Sequence, residues 1–220
     1  MEKLILYGNK AVARGMYLGL KNNPNYEVVA FTVDREYLEG ERFCDLPIVP
    51  FDTVQDAYPP EAHKMFVAVG YVSNNKIKKE RYLQSKEMGY QFASFVGSTS
   101  RVNRDALAGD HHLIGEYVVI SPSARIGSNV TINTGCMIGE DVVIGDHCFF
   151  SGGVAVAGGA KIGACCYFGM GSIIRDKISI GSHCVIGAGA LMLDNAEDKS
   201  VYVGQGATLL PIASDKLPLG

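Results

Sequence analysis

A small parallel α/β domain over residues 1–99, followed by a parallel β-helix domain with a C-terminal tail over residues 100–220, is the fold class this sequence predicts. Two observations carry that expectation. Strand-like and helix-like stretches alternate through the first hundred residues, and from residue 113 onward the chain repeats every six. A third observation bounds it: 220 residues, 47% hydrophobic content and a formal charge of −3 describe an ordinary globular protein with room for two such units. That balance gives nothing to draw nucleic acid or an acidic membrane surface. No apolar run approaches the roughly 18 residues that span a bilayer. The start, Met1-Glu2-Lys3-Leu4-Ile5-Leu6-Tyr7-Gly8, lacks a charged leader and a cleavage site and reads as a buried strand. A cytoplasmic protein is expected.

Residues 3–7 form an apolar strand ending at Gly8, residues 11–21 read as helix, and residues 26–33 are a second β-rich run ending in Asp34. Residues 65–69 make a third strand opening into Gly70-Tyr71, and residues 77–88 are helical. A Rossmann-like sheet of this kind binds ligands beyond the carboxyl ends of its strands, a rim that here carries Gly8, Asn9, Asp34, Gly70 and Tyr71. Gly8 is followed by no glycines at the offsets of a dinucleotide fingerprint, so NAD is not expected. The basic run Lys76, Lys78, Lys79, Arg81 is either a contact for a diphosphate or a solvated helix face.

From residue 113 to residue 196 the sequence divides into fourteen hexapeptides without an insertion, for example Val143-Ile144-Gly145-Asp146-His147-Cys148. The second position is Ile in ten of the fourteen, with Phe150, Val156, Phe168 and Met192 completing the column. The third is Gly eight times, and the sixth is Val, Ala or Cys in all but Ser172 and Ile178. A six-residue period drifts against the 3.6 residues of a helical turn, and hairpin turn chemistry is absent, so short strands separated by corners remain. Three hexapeptides close one triangular coil, the second-position aliphatics fill its inside, and glycine is expected to serve the corner conformation. Cys136, Cys148, Cys166 and Cys184 are spaced by 12, 18 and 18 residues, which places them in the small sixth-position column. They read as buried thiols, since no CxxC pair or Cys/His cluster suggests a disulfide or metal site.

These repeats resemble the hexapeptide acyltransferase superfamily. The resemblance implies a left-handed coil, against the usual crossover rule, homotrimers, and active sites in grooves between neighbouring prisms. Over nearly the whole chain the sequence is similar to a narrower group, the sugar acyltransferases with a small nucleotide-sugar domain ahead of the β-helix, including sialic acid O-acetyltransferases and nucleotide-amino-sugar N-acetyltransferases. The residues that carry this are Val28-Val29-Ala30-Phe31-Thr32-Val33-Asp34, Leu46-Pro47-Ile48-Val49, Val67-Ala68-Val69-Gly70-Tyr71 leading to Asn75-Lys76-Ile77, and Ile132-Asn133-Thr134-Gly135. The resemblance implies that Asp34 and the loops after Gly8 and Gly70, with Asn9, Tyr71, Asn74, Asn75 and Lys78, hold a uridine- or thymidine-diphosphate sugar. It implies acetyl-CoA or another acyl-CoA as co-substrate, lying along Phe149, Gly153, Gly171 and Ala188, and no metal.

One departure reshapes the expected chemistry. Where this family has a catalytic histidine five residues after the Asn-Thr-Gly glycine, this chain has Glu140, followed by Asp141. A second histidine, usual near the acyl-CoA sulfur, is replaced by Phe149, and the nearest imidazole, His147, joins Glu140 and Asp141 as a catalytic candidate. A sugar hydroxyl needs a positioned base, whereas the neutral fraction of an amine attacks a thioester unaided. N-acylation of a nucleotide-linked amino sugar is therefore expected, with Glu140 or Asp141 orienting the ammonium and taking its proton. The competing readings are a sugar O-acetyltransferase and a non-catalytic nucleotide-sugar-binding or scaffold protein. A metal-dependent, carbonic-anhydrase-like hydratase on the same prism would need three histidines meeting between subunits, and the β-helix proper offers only His147 and His183. His183 reads as structural or exposed, and His111 and His112, at the entry to the prism, receive no role.

Overall fold

The structure, a computed structural model, describes residues 1–71, 75–209 and 211; Asn74, a candidate from the sequence, lies outside the described residues. The first part is a six-stranded sheet in the order β3-β4-β2-β1-β5-β6, built from β1 (Glu2–Tyr7), β2 (Tyr26–Val33), β3 (Arg42–Phe43), β4 (Leu46–Pro50), β5 (His63–Val67) and β6 (Gln91–Phe92). All neighbours run parallel except the β3–β4 hairpin. Helices α1 (Ala11–Leu20), α2 (Val54–Ala57) and α3 (Lys76–Glu87) provide the crossovers. Alternation along β1 sorts the core. Leu4 and Leu6 pack with Ala13, Phe31 and Phe66, while Ile5 and Tyr7 pack with Met65, Val67 and Tyr82. Among the described residues, no helix is long and apolar enough to cross a membrane.

The third strand sits two residues earlier than the apolar run suggests. His63 and Lys64 enter the ladder because they lie opposite Lys3 and Leu4, so the length of β1, and not side-chain polarity, sets the pairing.

The second part is a parallel β-helix. Its ladder begins with Phe95–Val96 on Leu113–Ile114 and Arg101–Val102 on Val119–Ile120, ahead of the clear hexapeptide phase. Three faces form, of seven, six and four strands, and the rungs pair 18 residues apart, as Arg125 with Val143 and Thr131 with Phe149, until the last coil, where Val185 pairs with Val201. All fourteen second-position side chains and all fourteen sixth-position side chains are buried in one continuous core. The four column cysteines are fully buried in it as free thiols.

Glycine, however, does not serve the corner at the third position. None of the eight third-position glycines has positive φ. The left-handed residues sit at the fifth position, among them Asn129, Asp141, His147, Cys165 and Gly171. Third-position glycine answers a different need. A Cβ on Gly169 would lie 2.4 Å from the backbone nitrogen of Ala188 in the next coil. At Gly171, with φ +66°, a Cβ would meet nothing within 4 Å. Gly169→Ala is therefore expected to destabilise by roughly 2–3 kcal/mol through overpacking, and Gly171→Ala by only about 1 kcal/mol through its left-handed backbone. Urea unfolding of the two variants measures this, and the reverse order would show that conformation, not close approach, selects the third-position glycine.

Candidate active site

At the carboxyl ends of the strands, a cleft of about 410 Å³ is lined by Tyr7, Gly8, Asn9, Ala68, Gly70 and Ile77, among others. Gly8, at φ +128°, must be glycine, since a Cβ there would fall 2.8 Å from the Ala68 carbonyl oxygen. Asn9 donates from Nδ2 to the Tyr37 carbonyl, 2.7 Å away. Helix α1 starts at the cleft with no side-chain cap and no acidic residue in its first turn, so its amides and dipole face the opening. Asp34 lines an adjoining cleft of about 950 Å³ with Arg35, Phe51, Asp52 and Arg81.

Beyond Gly70 the chain reaches the β-helix. The Tyr71 ring lies 4.1 Å from that of Tyr167 and 5.2 Å from that of Phe149, centroid to centroid. Both partners point outward from adjacent rungs of the seven-stranded face. The corner that follows this face carries Gly135, Gly153, Gly171 and Gly189 in one column, all at positive φ. Ala188 lies beside the last of them, exposed. The amides of Gly153 and Gly171 are used in the ladder, donating to Thr134 and Gly152, so the column offers a flat edge rather than open donors. Tyr71, next in the chain to Gly70 of the cleft, thus meets the seven-stranded face at Phe149, and the glycine column lies at the corner that follows this face.

His147 and Lys78 belong to a different arrangement, a buried junction under α3. The Lys78 ammonium, 2% exposed, donates to Thr131 Oγ1 at 2.7 Å. It is therefore turned into the β-helix and away from the rim, and burial pushes it down to about 7. Asn75, in the left-handed region ahead of α3, donates from Nδ2 to the His147 carbonyl at 2.9 Å, while its Oδ1 is buried without a partner among the described residues.

A ladder one coil apart links His111, Asn129 and His147, and its proton positions follow from one backbone amide. The Val67 N–H, beyond the end of the neighbouring strand β6, donates to His111 Nε2 at 2.8 Å. Neutral His111 then carries its proton on Nδ1 and donates to Asn129 Oδ1, also at 2.8 Å. Asn129 Nδ2 in turn donates to His147 Nδ1, which leaves the His147 proton on Nε2. Burial holds His111 well below the usual imidazole range and pushes His147 down to about 4, with the Lys79 and Lys78 ammonium groups opposing its protonation further. His147 is therefore a hydrogen-bond donor at Nε2 and is not poised as a base. Nothing in composition marked this ladder, but its members fall 18 residues apart, one full coil, and that spacing is visible in the sequence. His112 is also buried, held by Ser94 Oγ and the Gly127 carbonyl.

Glu140 and Asp141 are exposed at a third corner, between the six- and four-stranded faces. One prism therefore does not bring Glu140 and Asp141 together with His147, nor with the Gly153 and Gly171 edge. Among the described residues no three His, Cys, Asp or Glu side chains cluster to hold a metal ion.

Residues 123–158 and 159–193 match the model of the bacterial transferase hexapeptide (six repeats) family. Three solved structures are similar throughout their length. The acetyltransferase domain of PglB from Neisseria gonorrhoeae, in complex with acetyl coenzyme A, is 20% identical with a TM-score of 0.80, covering 95% of this chain and 99% of that one. A variant of perosamine N-acetyltransferase from Caulobacter crescentus, in complex with CoA and GDP-perosamine, is 20% identical with a TM-score of 0.80, covering 93% of this chain and 94% of that one. WeeI from Acinetobacter baumannii is 19% identical with a TM-score of 0.76, covering 96% of this chain and all of that one. The same order of a small α/β domain and a hexapeptide β-helix thus recurs in acetyltransferases, and at this identity the likeness is one of fold.

Proposed function

We propose that this chain is a cytoplasmic, acyl-CoA-dependent N-acyltransferase acting on the amino group of a nucleotide-linked sugar, of the kind used to build surface polysaccharides or glycans. The observation that carries the reading is that the Gly8–Gly70 cleft leads in the chain to Tyr71, whose ring packs on Phe149 of the face that ends at the exposed Gly153–Gly171 corner. A nucleotide sugar anchored in the cleft would lay its sugar against the aromatic rings, and an extended thioester could run along the glycine edge, beside the exposed Met170 side chain. Two similar folds with acetyl-CoA, or with CoA and GDP-perosamine, in their complexes support it.

In the reaction the amine lone pair attacks the thioester carbonyl carbon. The carbon–sulfur bond breaks, the CoA sulfur leaves and takes up a proton, and the nitrogen sheds one to become an amide. The tautomer of His147 disfavours it as the base. Glu140 and Asp141 are the remaining acids, and a neighbouring copy would have to bring them to the aromatic face.

A homotrimer supplies that geometry. Val119, Met137, Ile173 and Leu191 form an exposed apolar stripe along the six-stranded face, a surface suited to a second prism. Glu140→Gln is expected to lower kcat at least about tenfold, a modest effect for general base catalysis; an unchanged rate removes Glu140 from the mechanism. The overall test is thiol release from acetyl-CoA with a panel of nucleoside-diphosphate amino sugars and matching hydroxyl sugars. Turnover with amino sugars alone supports N-acylation, turnover with hydroxyl sugars selects O-acylation, and nucleotide binding without turnover selects a binding protein.

A further inference from the structure

Arg81, on the second turn of α3, belongs by sequence to the basic run that could face a diphosphate. Its donors are committed elsewhere. Nε donates to Tyr7 Oη at 3.0 Å and to Asp34 Oδ2 at 3.2 Å, Nη2 donates to Asp34 Oδ2 at 2.5 Å, and Nη1 donates to Gln84 Oε1 at 2.5 Å. The guanidinium lies against a pair of touching rings, 5.7 Å from the centroid of Phe51 and 5.9 Å from that of Tyr7. It is only 20% exposed, and its partner Asp34 is 23% exposed.

Tyr7 lines the smaller cleft, and Asp34 and Arg81 line the larger, so this triad is the wall where the two meet. Both Arg81 contacts to the carboxylate fall on Oδ2, so Arg81 itself leaves Oδ1 unused. A carboxylate held in this way accepts from a ligand's paired hydroxyls or ring N–H groups, and it repels phosphate.

Resting on the reading that the cleft takes a nucleotide sugar, we infer that Arg81 is a positioning residue for its nucleoside end, holding Asp34 by Oδ2 so that the other carboxylate oxygen receives a ribose hydroxyl or base N–H. The diphosphate then lies on the other side of the wall, toward the amides of α1. A lysine cannot replace Arg81, because a single ammonium does not span Tyr7, Asp34 and Gln84 together.

The test is calorimetric binding of UDP, GDP and dTDP to the full chain, with acetyl-CoA binding measured in parallel, for wild type, Arg81→Gln, Asp34→Asn and the double variant. Arg81→Gln is expected to weaken the preferred nucleotide about tenfold, the loss of one charge-assisted contact, and to leave acetyl-CoA binding unchanged. In the Asp34→Asn background the same change is expected to cost less than about twofold, because Arg81 acts through Asp34. If Arg81→Gln does not fold, Arg81→Lys is read in its place, with the same expectation. Unaltered nucleotide binding in the folded Arg81 variant, equal losses of nucleotide and acetyl-CoA, or full additivity with Asp34→Asn each overturns the inference and leaves the function standing. A wild-type chain that binds none of the three nucleotides overturns the underlying reading and this inference with it.

Discussion

Replacing Asn129 by alanine is expected to lower the free energy of unfolding by about 4 kcal/mol. The amide is fully buried and supplies both contacts that hold the histidine ladder, one at each end. Its removal strands a donor on His111 and an acceptor on His147, each about 1–2 kcal/mol when buried without a partner. Alanine must also adopt φ +57° at this corner, which adds about 1 kcal/mol. Urea denaturation at pH 7 measures the sum, and a loss below about 1 kcal/mol would show that the ladder contributes little. Asn129→Asp separates the tautomer argument from stability. An aspartate offers acceptors to both neighbours, so His147 must move its proton to Nδ1. The ¹⁵N shifts of the imidazole report that exchange, and an unchanged His147 tautomer would break the chain of reasoning that begins at Val67.

The ladder also shows what could be read in advance and what could not. The β-helix was legible because its core rule is local and repeated: an aliphatic at the second position and a small residue at the sixth, both buried throughout. The reason for third-position glycine was not legible, since the atom it avoids belongs to a residue 19 positions away, as Ala188 does for Gly169. In the α/β domain the rim glycines Gly8 and Gly70 could be placed from strand ends, and they do line one cleft. Asp34 falls in the next cleft because Arg81, 47 residues away, holds it there. The direction of Lys78 was equally hidden. Its helix exposes Lys76 and buries Lys78 against Thr131, a distinction that exists only once the β-helix packs beneath α3. The separation of Glu140 from His147 follows from a count of corners. Seven residues along this coil carry the chain to the next corner of the triangle, so motif spacing that looks compact in sequence is spread in space.

The same buried junction predicts how stability depends on pH. His111 and His147 are held neutral in the folded chain, and His147 titrates only near 4, whereas an unfolded imidazole titrates near 6.5. Below about pH 6.5 the unfolded chain therefore binds protons that the folded chain refuses, and the equilibrium moves toward unfolding. The stabilisation is complete above that value and is lost as the pH falls, with the His147 share exhausted near pH 4. Between pH 7 and pH 5 the His147 imidazole is expected to remove roughly 2 kcal/mol, and His111 acts in the same direction. His112, which burial also pushes down, adds in the same direction. The charges around the ladder reinforce the sign. Lys79, Lys78 and Lys86 oppose a proton on His147, while Asp146 favours it by less than Lys79 opposes it. Lys78 extends the trend upward, because its ammonium titrates near 7 when folded and near 10.5 when free, so stability continues to rise with pH above neutrality. Urea midpoints at pH 5, 6, 7 and 8 test the profile. His147→Gln should reduce the loss between pH 7 and 5 by roughly 2 kcal/mol, and a wild-type profile flat over that interval would mean that the junction opens to water and its histidines titrate freely.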